Sequence, residues 1–132
     1  MIVDPSVIVA ILLKEPDADE LSRRLRRADV LRMSTASFLE AAIVLDQRAN
    51  LQPDDPADRL SELLRRSRIE LVPFTEGHAQ IARIAYRRYG RKRHPAQLNF
   101  GDCISYALAK ILDEPLLFKG TDFSLTDVRV AH

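Results

Sequence analysis

A chain of 132 residues is sized for one domain, and with 46% apolar residues it can bury a real core. Charged residues make up 30% and the net charge is +1, which excludes a disordered chain or a polycation; any nucleic-acid surface must be a local patch. The single cysteine, Cys103, excludes an internal disulfide and suits a reducing cytoplasm. The longest apolar run, residues 7–13, falls short of the roughly twenty residues of a membrane span. No basic segment precedes it, so neither an anchor nor a secretory leader is expected.

The chain opens on Met1-Ile2-Val3-Asp4, three apolar residues running into a carboxylate, which reads as a short buried strand delivering an acid to a sheet edge. In open α/β sheets ligands gather outside the carboxyl ends of parallel strands, where Asp4 would stand. Asp4 can cap a helix with Pro5 as its first residue, so a buried helix follows through Leu13 and ends before Pro16. Residues 17–28 form an amphipathic helix, with Ala18, Leu21, Leu25 and Ala28 on one face and four arginines elsewhere. Residues 30–33 are a strand. A helix capped by Ser34, Thr35 or Ser37 runs to about Arg48, and residues 50–56 are a loop rich in Asp and Pro. Residues 57–67 are an amphipathic helix and residues 69–72 a strand closed by Pro73. Thr75 caps a helix to about Tyr89, with Gly90 at its C-cap. A basic loop, residues 91–97, leads to Asn99, which caps a helix reaching about Leu112. Residues 116–118 are a strand, residues 121–124 a short helical piece, and residues 128–130 a last short strand. Strands alternating with helices predict an α/β fold, with helices on both faces of a central, mostly parallel sheet of about five short strands.

Four acids stand in or beside apolar sequence near element ends: Asp4, Glu40, Asp102 and Asp122. Three of them have structural readings as well. Asp4 can be only an N-cap, Asp102 a first-turn acid that favours a helix dipole, and Asp122 the cap of the final helical turn. Glu40 has no such role inside the apolar run 38–45, and an isolated buried carboxylate is costly, so it is paired with an arginine, protonated or metal-bound. Carboxylates gathered together repel one another, and Mg²⁺ or Mn²⁺, hard cations that take oxygen ligands, would remove that cost and serve phosphoryl chemistry. Spacing alone does not show that the four acids meet.

Nucleotide-cradling glycine loops are absent, the three histidines lack zinc spacing, and Cys103 has no base placed beside it. One stretch suits RNA: Arg83, Arg87, Arg88, Arg91, Lys92 and Arg93, with Tyr86 and Tyr89 interleaved and no acid. Such cations bind phosphates and such rings stack on unpaired bases.

A family resemblance runs through four segments in order: Ile2-Val3-Asp4-Pro5-Ser6; Ser37-Phe38-Leu39-Glu40-Ala41; Leu98-Asn99-Phe100-Gly101-Asp102-Cys103 with Tyr106-Ala107-Leu108-Ala109; and Leu116-Leu117-Phe118-Lys119-Gly120-Thr121-Asp122-Phe123 with Thr126-Asp127. On these the chain resembles the PIN-domain ribonucleases, and among them the VapC-type toxins of bacterial toxin–antitoxin pairs. The resemblance implies a single PIN-like α/β/α sandwich over residues 1–132. It also implies Mg²⁺- or Mn²⁺-dependent endonucleolytic cleavage of an RNA such as transfer or ribosomal RNA, a homodimer, and a cognate VapB-type antitoxin. It assigns Asp4, Glu40, Asp102 and Asp122 to the metal site, Asp127 to its rim as a fifth acid, and Ser6 and Thr121 to orienting roles. RNA binding is expected of Arg87, Arg88, Arg91, Lys92 and Arg93. The family usually has Thr or Ser where this chain has Pro5, which removes a hydroxyl and an N–H near the metal. The antitoxin is expected over the first two helices, whose apolar residues exceed what a short sheet covers. Two other functions are weighed: a PIN-fold binding module with weak or lost catalysis, and a phosphoacceptor domain using Asp4. The latter is disfavoured because such domains want paired N-terminal acids.

Overall fold

The structure is a computed structural model that describes residues 1–48 and 56–131. The chain runs β1 (Ile2–Val3), α1 (Pro5–Leu12), α2 (Ala18–Arg27), β2 (Leu31–Ser34), α3 (Thr35–Arg48), α4 (Pro56–Ser67), β3 (Ile69–Val72), α5 (Glu76–Tyr89), α6 (Phe100–Leu112), β4 (Leu116–Leu117) and a 3₁₀ turn over Asp122–Leu125. The four strands pair in the order β3-β2-β1-β4, every pairing parallel. The loop expected over residues 50–56 lies outside the described residues, apart from Pro56, which begins α4.

Alternation along two very short strands creates the layers. Successive strand residues point to opposite faces. Val3 and Leu117 join the core formed with α1 to α4, beside Val7, Ile8, Leu21, Leu25, Met33 and Leu60. Ile2 and Leu116, their neighbours in sequence, join a second core with Tyr89, Leu98, Tyr106, Leu108 and Phe123. The register that pairs Ile2 with Leu116 and Val3 with Leu117 keeps each pair on one face. A sheet covered on both faces is why these strands read as continuous apolar runs. Truncating the fully buried Ile2 to alanine would cost about 2–5 kcal/mol.

The sheet has four strands among the described residues, one fewer than expected. Residues 128–130 do not extend into a strand; Val130 makes an isolated parallel bridge to Leu116, through Leu116 N–H to Arg129 O at 2.8 Å and Ala131 N–H to Leu116 O at 2.9 Å. These two bonds make one rung of a ladder, so the segment stops at a single bridge. The large exposed apolar side chains also lie elsewhere than expected. None is on α1 or α2; Leu39 and Ile43 are on α3, Ile84 and Tyr86 on α5, and Phe100 opens α6.

Candidate active site

The acidic cleft forms where β1 and β4 end. Asp4 follows β1 with extended backbone and caps α1, its Oδ1 accepting from the Ser6 N–H at 2.9 Å and the Ser6 hydroxyl at 2.6 Å. Pro5 occupies the first helical position, where a missing N–H leaves no intrahelical bond unmade. The Ser6 hydroxyl also accepts from the Lys119 N–H at 3.0 Å, so one side chain ties Asp4 to the loop after β4. Capping uses one oxygen of Asp4. Its Oδ2 is buried without a hydrogen-bond partner.

Glu40 enters from α3. It is half-buried, and its Oε2 has no partner. Its approach depends on Gly101: a Cβ there would lie 2.1 Å from Oε2 and 2.2 Å from Oε1. Asp102 stands at the third position of α6 in a reciprocal cap. The Asn99 side chain accepts from the Asp102 N–H at 2.9 Å, and Asp102 Oδ2 accepts from the Asn99 N–H at 2.7 Å. Asp4, Glu40 and Asp102 line one cleft of about 490 Å³, with Asn99, Ser6 and Lys119 in its walls. Asp122 opens the 3₁₀ turn and is exposed, yet its charge raises the pKa of both Asp4 and Asp102.

The electrostatics carry the signature of acids crowded out of water. Burial pushes Asp4 above the usual carboxylate range, against hydrogen bonds from Ser6. The Ser105 hydroxyl also favours the Asp4 carboxylate, without completing a hydrogen bond. Glu40 is pushed up to about 7, by burial first and then by Asp4 and Asp102. Asp102 is pushed up to about 6 by burial and by Asp4 and Asp122, while the Asn99 N–H and Arg91 pull the other way.

As the side chains stand, no group of three His, Cys, Asp or Glu among the described residues is drawn close enough to hold a metal ion. The donor set nevertheless fits a hard divalent cation: carboxylates only, mutually raised in pKa, with spare buried oxygens on Asp4 and Glu40. Cys103, beside Asp102, is buried with its thiol pushed up to about 12, by burial first and then Asp102, which removes it as a nucleophile.

The other expected residues do not join this cluster. Asp127 accepts from the Tyr106 hydroxyl at 2.6 Å and lies 3.5 Å from both Arg88 and Lys110. The Tyr106 bond holds its carboxyl below the usual range, opposite to the cleft acids. Thr121 precedes the 3₁₀ turn with no side-chain capping bond. Arg87 and Arg88 fall in the last turn of α5; Arg91, Lys92 and Arg93 are exposed, and the charge of Arg91 lowers the pKa of Asp102. Sequence reading passed over Ser105, Gly101 and Lys119. Ser105 is three residues beyond Asp102, one helical turn, and that spacing was the available signal.

A profile of the PIN domain matches residues 1–128. The chain is 50% identical over 133 aligned residues to a protein of Mycolicibacterium smegmatis named ribonuclease VapC, covering 100% of both. Among solved structures, a Mycobacterium tuberculosis toxin, VapC20, described as cleaving the sarcin-ricin loop, superposes with a TM-score of 0.74 at 16% identity, over 97% of this chain and 98% of that one. A toxin–antitoxin complex from Klebsiella pneumoniae gives a TM-score of 0.67 at 13% identity, over 93% and 89%.

Proposed function

This chain belongs to the PIN-domain family, and from that premise and the site we propose that it is the endoribonuclease toxin of a type II toxin–antitoxin pair, acting with a divalent metal. One observation carries the metal-dependent part: Asp4 and Glu40 each present a buried carboxylate oxygen without a partner, in the cleft that Asp102 also lines. Asp4, Glu40, Asp102 and Asp122 would hold Mg²⁺ or Mn²⁺. When bound, such an ion supplies a water acidic enough to attack at neutral pH and charge to stabilise the leaving oxygen. The chain's own residues set the geometry. Ser6 fixes the Asp4 carboxylate, and the Asn99 N–H fixes that of Asp102. Glu40 is raised to about 7 and Asp102 to about 6, so any proton they hold at lower pH must leave before they act as ligands. In-line attack then leaves 5′-phosphate and 3′-hydroxyl ends.

RNA reaches the acids past Arg91, whose charge is felt at Asp102, with Lys92 and Arg93 beside it and Arg87 and Arg88 a turn earlier. Transfer or ribosomal RNA is the substrate class. A VapB-type antitoxin is the partner, as toxin–antitoxin assembly among the structural relatives supports. The apolar surface on α3, α5 and the start of α6 suits a homodimer. No helix among the described residues is long and apolar enough to cross a membrane, and we place the protein in the cytoplasm.

The test uses purified, antitoxin-free protein with Mn²⁺ and RNA. Asp4→Asn keeps a capping side chain and Asp102→Asn keeps the shape of the acid, so both variants should fold. Each should lose cleavage by about 100-fold or more and show a smaller Mn²⁺-induced rise in melting temperature. Unchanged cleavage in both variants, together with no thermal shift by Mn²⁺ in the parent, would sink the assignment.

A further inference from the structure

We propose that Lys119, with Arg48 beside it, receives RNA phosphates at the wall of the acidic cleft, and that Glu15 holds the two cations in place until RNA displaces it. The inference rests on the ribonuclease reading above and adds positioning residues to that site.

Lys119, Arg48 and Glu15 line the same cleft as Asp4, Glu40 and Asp102, and Lys119 and Arg48 are its only lining cations among the described residues. The lysine backbone is fixed relative to the acids by a two-bond relay: Lys119 N–H to the Ser6 hydroxyl at 3.0 Å, and that hydroxyl to Asp4 Oδ1 at 2.6 Å. Its ammonium pairs with Glu15 and lies 3.2 Å from Asp17 Oδ1. Arg48, the last residue of α3, lies 3.4 Å from the other oxygen of Glu15. One carboxylate therefore restrains two cations that arrive from different elements.

Four acids line this cleft, Asp4, Glu15, Glu40 and Asp102, and Asp122 adds its charge, so a polyanion is repelled unless cations stand beside its path. Exposed ion pairs hold weakly, and about a third of the Lys119 side chain is exposed. Exchange of Glu15 for a phosphate oxygen, another charge-assisted acceptor, is correspondingly easy. The tie keeps the long lysine side chain ordered over the cleft instead of free in solvent.

The experiment measures RNA cleavage with Mn²⁺ by the whole antitoxin-free chain at several salt concentrations. Lys119→Met keeps the aliphatic stem and removes the charge. It should raise KM about tenfold with kcat within about twofold, and flatten the salt dependence by about 0.7, one phosphate contact on a single strand. Lys119→Arg should restore KM, and Glu15→Gln, by removing the charge that both cations share while Asp17 stays beside Lys119, should lower it. The Mn²⁺-induced thermal shift should match the parent in all three. Parental KM and salt slope in Lys119→Met would overturn the inference alone. So would a rise in KM in Glu15→Gln, which marks a merely structural tie, or loss of antitoxin capture with KM intact, which marks a protein contact. A parent chain that neither binds nor cleaves RNA would overturn the ribonuclease reading and this inference together.

Discussion

Asp4 and Asp102 each serve the fold with one oxygen, and Asp4 shows why structural and chemical readings of an acid are not alternatives. Its capping oxygen is fixed by Ser6, and the other stays buried without a partner in a residue that lines the cleft. Glu40 has no capping role, and the molecule makes room for it by leaving out a side chain at Gly101. The atoms that an added methyl would meet are the far end of a flexible glutamate, so Gly101→Ala should fold. It should gain up to about 1 kcal/mol of helix propensity while displacing the carboxylate. The expected outcome is an unchanged or higher melting temperature with cleavage reduced about tenfold or more; full activity in the alanine variant would remove Glu40 from the site. The raised acids also make a pH prediction. Glu40 moves from 4.5 to about 7 and Asp102 from 3.8 to about 6, so between about pH 4 and 7 the folded metal-free protein binds more protons than the unfolded chain. Stability of the metal-free protein therefore falls as pH rises through that window. Metal binding requires the deprotonated forms, so the Mn²⁺-induced rise in melting temperature should be larger at pH 8 than at pH 6. Thermal melts with and without Mn²⁺ at the two pH values check both signs.

Among the elements, those announced by local chemistry were legible in the sequence. Thr75 and Asn99 cap α5 and α6 as expected, because a cap is settled within four residues. The α5 cap carries an unanticipated partner: the His78 ring takes the place usually filled by Glu or Gln, with Nδ1 accepting from the Thr75 N–H at 3.2 Å. Gly90 ends α5 in extended rather than left-handed backbone, and is needed because a Cβ would lie 2.3 Å from the Tyr86 carbonyl oxygen. What depends on distant pairing was not legible. Residues 128–130 have strand composition but make a single bridge, to Leu116, and the partners of Asp127, which are Tyr106, Arg88 and Lys110, come from elsewhere in the chain. Asp4, Glu40 and Asp102 were identifiable as unusual acids, yet their convergence is a property of the β1–β4 pairing and of α3 meeting α6. The α6 cap offers an element-level prediction. Asn99→Ala removes the acceptor for the Asp102 N–H and should cost about 1 kcal/mol, lowering the melting temperature by about 3–5 °C, whereas Asn99→Ser should keep most of it. Equal melting temperatures for the parent and Asn99→Ala would show that the cap adds no stability.

The whole molecule divides its surface between charge and oil. Isolated exposed apolar residues such as Val30 and Leu125 need no explanation. Leu39 at 59%, Ile43 at 47% and Phe100 at 80% exposure are different, because they line or adjoin two apolar grooves, of about 500 and 630 Å³, that share Phe100, Ile104, Asn99 and Arg91. A contiguous apolar surface of this kind marks a protein interface. It begins at Glu40 and Asn99, residues that also line the acidic cleft, so a partner seated on it would shape the approach to the acids without entering the cleft. A second copy of the chain is the occupant favoured here, since a two-fold dimer buries the same apolar patch from both partners at once. Leu39→Glu combined with Ile43→Glu places two charges in the middle of that patch. Both side chains are exposed in the single chain, so its fold should persist. Four carboxylates would then have to be buried per dimer without partners, a cost larger than such an interface can offset. The double variant should sediment as a monomer at concentrations where the parent sediments as a dimer. Its melting temperature should also lose the concentration dependence that association confers on the parent. A parent chain that is monomeric across the micromolar range, with a melting temperature independent of concentration, would remove the homodimer and leave this face to the antitoxin.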